Sequence, residues 1–397
     1  MRNPPHWLSR KRMCAGAALS LACFLFFAIG IMATSKPPAA GPSYTLGSDF
    51  VTFWGASRLA QEGRAQDAYD RSKLTEAERI AVPGVPSRAW YYPPTFLLAV
   101  YPLASLPYAA AFIGFMAVTL GAYLWLGWRV IGNSDGMLCL LASGAVWINL
   151  MHGQNGFLTA VLAGTAMLQL ERRPLLAGAC IGLLAVKPHL AVFFPLALVA
   201  AGAWRAFAAA AVTAAIFVAA SALVLGVETF SAFHAGLGLA SQRVETGDLP
   251  LFKMPSVFAA VRSLGMPPAL AYGAHLLAAL VVGWLVWRSW RDKGPLPLRA
   301  SLLMCASFFV SPYGFDYDLT WLAFPIAWIA RDGMQRGWLP GERELLVLAW
   351  LLPVLSLALT LLAPVQLAPL VLAGMIYCCR KRLRDGPVPN PERQVLT

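Results

Sequence analysis

Length, composition and charge place this chain in a lipid bilayer: 58% of its 397 residues are hydrophobic, only 13% are charged, and the mean hydropathy is +0.62. Soluble domains carry roughly 45–50% apolar and about 25% charged residues, so this composition excludes a soluble globular protein. The net charge of +12 does not indicate a nucleic-acid partner, because the Lys and Arg residues stand in short clusters at the ends of apolar runs, where they record membrane topology.

The chain begins with a predicted membrane anchor. A basic cluster at residues 10–12 precedes an apolar run over 13–33, which is long enough to span as an uncleaved helix with a cytoplasmic N-terminus. Residues 34–91 carry charges and prolines that cannot lie in lipid, so we predict that they form the first extracytoplasmic loop. Within this loop, a short helix is predicted from Phe50 to Glu62, with Gly63 as its C-terminal stop.

Apolar runs fill residues 92–380, and the remaining residues 381–397 are predicted to be a cytoplasmic tail. Prolines interrupt the block 92–131, for which we predict an interfacial or re-entrant piece followed by one span. Further spans are predicted at about 136–151, 155–170, 174–186, 188–203, 206–226, 267–290, 299–312, 315–330, 344–362 and 365–379. This all-α bundle of about twelve transmembrane helices would form one polytopic membrane domain, residues 1–397, with both termini cytoplasmic.

The basic clusters all fall on the cytoplasmic side in this topology, and a different set of segments falls on the opposite face. These segments are polar turns that contain aromatic or ionisable side chains: the loop with Asp49 and the stretches 151–156, 186–190, 227–266 and 311–321. Because they share one side of the membrane, we expect the functional groups to lie among them. The role of the segment 227–266 stays open, either closing over a substrate or connecting two spans.

Asp49 stands at the head of the predicted helix, directly after the first span has left the membrane. One interpretation is structural, since Asp is a preferred helix N-cap. The other is chemical: a carboxylate at headgroup depth, beneath the aromatic ridge that includes Trp54, could act as a general base. The two interpretations do not exclude each other.

Lys187 and His189 lie between two apolar half-runs, and Pro188 breaks the helix between them. Ionisable residues at such positions are costly and indicate function by default. A lysine and a histidine at the outer headgroup level would suit the phosphate of a lipid. The alternative is that Lys187 only extends to the nearby interface.

The turn 151–156, MHGQNG, supplies His152, Gln154 and Asn155, whose hydrogen-bonding groups suit the hydroxyls of a sugar, although loops are commonly built from such residues. In the stretch 311–321 the side chains of Asp316, Tyr317 and Asp318 come in succession, and capping explains one acid more easily than two. Tyr92 fits either a sugar platform or an aromatic membrane belt.

The sequence carries no signature of a metal centre or a cofactor. The seven cysteines show neither metal-ligand spacing nor a disulfide framework. The sequence also lacks a Walker loop, GxSxG and HExxH, so nucleotide hydrolysis, serine hydrolysis and zinc proteolysis have no support. We expect neither a metal nor a cofactor.

Five motifs in order carry a family resemblance: GSDFVTFWGASRLAQEGRAQDAYD, YYPPTFLLAVYPLASLP, HGQNGFLTAVL, GLLAVKPHLAVFFPLAL and SPYGFDYDLTWLAFP. Together, over about residues 45–331, they resemble glycosyltransferase family 87, which comprises bacterial membrane mannosyltransferases. The resemblance implies the GT-C architecture, a polyprenyl-phosphate sugar donor and an aspartate base, here Asp49. It also implies that Lys187 lies near the donor phosphate and that the stretch 311–321 borders the active site.

One departure from the family pattern affects the site. Many members carry histidines where this sequence has Tyr317 and Asp318, so no role of those imidazoles transfers to this chain. Either His152 or His189 replaces them, or the acceptor differs.

The sequence thus predicts an inverting hexosyltransferase in the bacterial inner membrane that moves a sugar, mannose by resemblance, to a hydroxyl of a glycolipid or cell-envelope glycan. Asp49 would be the general base, Lys187 and His189 would bind the donor phosphate, and the remaining candidates would contact sugar or acceptor. Membrane lipid would surround the protein. The alternative is a transporter or flippase of lipid-linked sugars, which would need a comparable polar set on the cytoplasmic face.

Overall fold

The computed structural model describes residues 6–34, 47–245, 250–362 and 365–385, and within these ranges every regular element is helical. The α-helices are α1 (Arg10–Thr34), α2 (Phe50–Gln61), α3 (Arg71–Ala81), α4 (Pro94–Val100), α5 (Tyr108–Ile131), α6 (Ser134–Leu141), α7 (Gly144–His152), α8 (Gly156–Gln169), α9 (Pro174–Leu183), α10 (Phe193–Ala200), α11 (Trp204–Leu225), α12 (Glu228–Glu245), α13 (Val257–Ser263), α14 (Pro268–Arg291), α15 (Leu296–Ala306), α16 (Ala323–Arg336), α17 (Glu342–Leu362) and α18 (Ala368–Asp385). Short 3-10 helices link them at Ala65–Tyr69, Tyr101–Ser105, Leu184–Val186, Pro188–Leu190, Leu251–Lys253, Ser307–Phe309 and Asp316–Leu322.

The protein is a multi-pass membrane protein. Among the described residues, α1, α5, α11 and α14 are each long and apolar enough to cross a bilayer, and the pair α6 and α7, bent by 48°, can be counted as a fifth span. Several shorter apolar helices fill the bundle between them. The prediction of an all-helical membrane protein is confirmed.

The apolar runs in the sequence became helices, and the proline-rich block divides as expected. Residues 92–131 form the short α4, a 3-10 turn and then the long α5. The helix predicted at the start of the first loop is α2, which ends before Gly63 at a φ of 73°. The segment 227–266, in contrast, contains α12 and α13, although its mixed composition gave no helical signal in the sequence.

The described part of the first polar loop, residues 47–91, packs around aromatic rings. Ten of the twelve residues of α2 are buried, and its ring Phe53 contacts Phe96 of α4 at 5.0 Å and Tyr92 at 5.5 Å between centroids. Two polar side chains of α2, Ser57 and Gln61, donate to the Tyr101 carbonyl at 2.6 Å. The unit that starts at Asp49 is therefore fixed to the bundle by both apolar burial and hydrogen bonds.

The ends of the helices divide into two groups. We call the end that gathers Gly47–Asp49, the turn 152–155, Lys187 and the 3-10 helix Asp316–Leu322 the site end. The opposite end, which we call the basic end, holds ion pairs between the other helix termini, among them Arg382 with Glu342 and Arg299 with Glu171. α5 and α16 each run from the site end to the basic end.

Small residues let α9 and α11 approach closely inside the bundle. A Cβ added at Gly178 would lie 2.3 Å from the Ala206 carbonyl oxygen, and one at Gly182 would lie 2.6 Å from that of Ala210. The two glycines are four positions apart in the sequence, so both lie on one face of α9, as in the small-xxx-small pattern of membrane helices. The backbones pack together directly.

We predict that Gly178→Val destabilises the protein by about 1–3 kcal/mol, because the new side chain meets the backbone of α11. Gly121→Val in α5 is the matched control, since a Cβ there has no heavy atom within 4 Å. Thermal unfolding in detergent measures both variants. Equal melting temperatures for the two would contradict the close packing of α9 on α11.

Candidate active site

The site is built where the chain before α2 meets the turn after α7. The Gly47 amide donates to the Met151 carbonyl at 2.7 Å, and the Asp49 amide donates to the His152 carbonyl at 2.8 Å. Gly153 has a φ of 69°, and a Cβ there would lie 2.7 Å from Phe50 and 3.1 Å from the Gly47 backbone. Only glycine permits this approach.

The Asp49 carboxylate does not cap α2, although Asp49 occupies the N-cap position. Its Oδ1 accepts from an Nη of Arg88 at 2.5 Å, and its Oδ2 accepts from the Gln154 side-chain amide at 3.0 Å. One fifth of the Asp49 side chain and one third of the Arg88 side chain are exposed. The carboxylate is thus oriented by other segments of the chain and remains accessible.

Gln154 connects Asp49 to an aromatic neighbour. Its side-chain carbonyl accepts from the Tyr92 hydroxyl at 2.8 Å, while its amide donates to Asp49. Gln154 is buried, and both of its functional groups are used in this chain of hydrogen bonds. The structure therefore brings together the predicted residues Asp49, Gln154 and Tyr92.

A second charged pair, Lys187 and Asp318, is more deeply buried than the first. Lys187 Nζ donates to Asp318 Oδ1 at 2.7 Å and to the side-chain oxygen Oδ1 of Asn155 at 3.3 Å. Its ammonium also lies 4.6 Å from the centre of the Tyr317 ring, within cation–π range. The Lys187 and Asp318 side chains are only 5% and 0% exposed.

Gln154 and Asn155 lie between the two charged pairs, and a glycine stands on either side of them, Gly153 and Gly156. A Cβ at Gly156 would come within 2.4 Å of the Tyr317 carbonyl oxygen, so the 3-10 helix Asp316–Leu322 packs directly on the backbone of the turn. Adjacent side chains then point to different groups: Gln154 to Asp49, and Asn155 to Lys187.

His152 faces a cation that the sequence did not indicate as a site residue. Its Nδ1 donates to the Ile148 carbonyl at 2.9 Å, which leaves Nε2 to accept from Lys253 Nζ at 3.1 Å. Asp316 is buried within electrostatic range of Lys253. Lys253 belongs to the segment 227–266, which therefore contributes to the site.

Two predicted residues lie apart from these contacts. Trp54 is only 6% exposed in the aromatic core of the first loop, and its indole N–H donates to the Leu106 carbonyl at 3.0 Å. His189 follows the Lys187 break, but its buried Nε2 has no hydrogen-bond partner within the described ranges. Neither side chain contacts Asp49.

Sequence reasoning missed Arg88 and Lys253, the two cations nearest to the accessible part of the site. Both stand in polar segments whose charged residues look solvated in the sequence. The only available signal for Arg88 was its place two residues before the aromatic run 90–92. Their importance depends on which segments meet in three dimensions.

The segments that form the site can be compared with known families. The sequence model of glycosyltransferase family 87 matches residues 90–312, which is more than half of the chain. The chain belongs to glycosyltransferase family 87. No curated protein and no solved structure matches it.

As a member of family 87, the protein is a membrane glycosyltransferase, an enzyme that takes a sugar donor and an acceptor. The matched residues include Tyr92, the turn 152–155, Lys187 and Lys253, but neither Asp49 nor Asp318. The structure joins the two unmatched acids to the matched part, Asp49 through Gln154 and Asp318 through Lys187. The candidate site therefore extends beyond the matched segment.

We expect the Lys187–Asp318 pair of this family 87 protein to be strongly coupled in stability. Lys187→Met or Asp318→Asn alone leaves a buried charge without its partner, which costs about 3–5 kcal/mol. The double variant should lose much less than the sum, because neither charge remains. Denaturant unfolding of the three variants in detergent measures the coupling, and additive losses would contradict it.

Proposed function

We propose that the protein is an inverting glycosyltransferase in which Asp49 is the general base. The observation that carries this proposal is the state of the Asp49 carboxylate, which leaves the N-terminus of α2 uncapped and is held by Gln154 and Arg88 while one fifth exposed. A carboxylate oriented in this way can accept a proton from a bound hydroxyl.

In the proposed reaction, the acceptor oxygen forms a bond to the anomeric carbon of the donor sugar. The bond between that carbon and the phosphate oxygen breaks on the opposite side of the ring, and its electron pair leaves with the phosphate. Asp49 takes the proton of the acceptor hydroxyl and later returns it to solvent. One displacement inverts the configuration at the anomeric carbon.

The donor in this proposal is a polyprenyl-phosphate hexose, with mannose suggested by the sequence resemblance. The site end would face the extracytoplasmic side of a bacterial inner membrane, and the basic end would face the cytoplasm, together with both termini. Nucleotide sugars are confined to the cytoplasm, so a lipid-linked donor fits this orientation. The acceptor would be a hydroxyl of a glycolipid or an envelope glycan.

The proposed architecture is a GT-C bundle of about twelve crossings. In this arrangement the shorter helices, such as α8, α9 and α10, cross together with the 3-10 segments that extend them. The first polar loop would rest on the outer surface as the roof of the site.

Cations near Asp49 would stabilise the departing phosphate. Lys187 and His189 remain the predicted phosphate ligands, but Lys187 already donates to Asp318, so a phosphate would have to share it. Lys253 lies beside His152 on the more accessible side, and its ammonium has no carboxylate within salt-bridge distance among the described residues. We include Lys253 in the proposed phosphate site.

A transporter of lipid-linked sugars is the rival function. Alternating access would require a comparable set of ligand-binding groups at the basic end. The charged side chains there are mainly arginines, and several of the described ones are held in ion pairs, as Arg382 is with Asp332 at 2.6 Å. This arrangement favours an enzyme with one site.

Asp49→Asn is expected to lower kcat by about 10²–10⁴-fold, because the amide cannot accept the proton. The assay is sugar transfer from synthetic polyprenyl-phosphate-mannose to a panel of glycolipid acceptors, at equal thermal stability of the proteins. Asp70→Asn is the matched control, since Asp70 caps α3 in the same loop and Asn preserves that role.

Wild-type turnover by Asp49→Asn would exclude Asp49 as the base. If neither wild type nor variant released polyprenyl phosphate, while both bound the donor, the transporter would become the better explanation.

Transfer is expected to proceed without a divalent metal ion. The phosphodiester of the donor carries a single negative charge, and Lys or Arg side chains suffice to stabilise the charge that develops on the leaving group. Initial rates before and after treatment with a chelator test this. Loss of activity that a divalent ion restores would contradict it.

A further inference from the structure

A further carboxylate lies buried in the first polar loop, against α2, and takes no part in the proposed transfer. Glu78 of α3 is 0% exposed, and neither of its carboxylate oxygens has a hydrogen-bond partner in the part of the chain that the structure describes. The side chain packs on α2, where a Cβ added at Gly55 would lie 3.1 Å from Glu78 Cγ. A buried carboxylate without a partner is costly, so its retention calls for a role.

The polar groups that face Glu78 come from three segments. α2 presents the Thr52 hydroxyl, the segment after α3 presents the backbone amide and the guanidinium of Arg88, and α3 itself presents Arg71. Arg71 is already engaged, because it donates to Ser87 Oγ at 2.9 Å and to the Ser87 carbonyl at 3.0 Å. Arg88 is therefore the better candidate to pair with Glu78.

Arg88 is only partly satisfied in its contact with Asp49. An Nη donates to Asp49, but the Nε is buried and has no hydrogen-bond partner among the described residues. The residue before it is fixed to α3, since Thr75 Oγ1 lies 2.7 Å from Ser87 Oγ. Arg88 thus contacts one carboxylate, Asp49, and lies within electrostatic range of a second, Glu78, which has no hydrogen-bond partner in the described ranges.

We propose that Glu78 is a positioning residue that competes with Asp49 for Arg88 and so leaves Asp49 free to accept the acceptor proton. The proposal rests on the proposed role of Asp49. A carboxylate that holds a guanidinium is a weaker base than one that does not. Turnover would then require Arg88 to move away from Asp49, and Glu78 offers it an alternative partner within the same loop.

The charge of Glu78 changes in the physiological pH range. Burial raises the pKa of Glu78 to about 7, against the opposing influence of Thr52 and of the two arginines that face it. Above that pH the charged carboxylate attracts Arg88, and below it the neutral acid does not. We expect kcat to fall as the pH drops through about 7, while the KM for the donor changes little.

Glu78→Gln tests this with a side chain of the same shape. At pH 8 the kcat of Glu78→Gln should be about tenfold below that of wild type, the factor that corresponds to a decrease of one pKa unit in the basicity of Asp49. The fall of kcat at low pH that wild type shows should be absent from the variant. Glu76→Gln, at an exposed position on the same helix, should keep the wild-type profile. The proposal would be overturned if Glu78→Gln kept the fall of kcat at low pH, or if its kcat at pH 8 equalled that of wild type. Movement of Arg88 would then have to come from substrate binding.

A second measurement does not depend on sugar transfer. Burial raises the pKa of Glu78, so the folded protein holds the Glu78 proton more tightly than the unfolded chain does. The resulting contribution to folding stability is complete below the ordinary pKa of 4.5 and is lost as the pH rises through about 7. The melting temperature of Glu78→Gln relative to wild type should therefore increase from pH 5 to pH 8. Glu76→Gln should show no such trend.

A double-mutant cycle of Glu78→Gln with Arg88→Gln then isolates the contact. Coupling in unfolding free energy is expected at pH 8 and not at pH 5. No coupling at either pH would overturn the proposal even if the enzyme transfers sugar. Coupling at pH 8 in a protein that transfers no sugar would instead confirm the Glu78–Arg88 contact and remove the proposed function.

Discussion

Close backbone approach at the turn between α7 and α8 is the constraint on which the site depends. Gly153 lets the start of α2 lie against the turn, and Gly156 lets the 3-10 helix Asp316–Leu322 pack on its other side. The two residues between them, Gln154 and Asn155, then reach a charged group on each side. A Cβ at either glycine would separate segments that are more than a hundred residues apart in the chain.

The two acid–base pairs joined by this turn differ in how they are solvated. The pair of Lys187 and Asp318 is almost completely buried, where each charge compensates the cost of the other. The pair of Asp49 and Arg88 is partly exposed, so water or a substrate can replace either partner. Burial thus suits the first pair to hold the bundle together and the second to exchange partners during a reaction.

The first polar loop provides a rigid base for the accessible pair. Aromatic rings fix α2 to α4 and α5, and α3 holds the segment that carries Arg88 through Ser87. Functional side chains on loops need this kind of support, because a loop alone would not keep two charged groups at hydrogen-bonding distance. Glu78 is buried between α2 and α3, within electrostatic range of Arg88. In our proposal, its protonation therefore affects the contact between Arg88 and Asp49.

The helical membrane character of the chain could be predicted from the sequence alone. Apolar runs partition into lipid and satisfy their own backbone as helices, so their positions depend only on local composition, and α5 and α14 lie where the runs predict them. The sequence also indicated Asp49, the turn 152–155 and Lys187, since ionisable and amide side chains beside apolar runs are unusual. The five ordered motifs indicated the family.

The contacts between these groups depend on the tertiary structure. The sequence left capping and chemistry equally open for Asp49; in the fold its side chain makes no capping hydrogen bond and instead contacts Arg88 and Gln154, which lie 39 and 105 residues away. Arg88, Lys253 and Glu78 were not predicted as site residues, because a charged residue in a polar segment cannot be told from a solvated one until another segment covers it. Long-range packing sets burial and charge pairing, and no local pattern in the sequence encodes them.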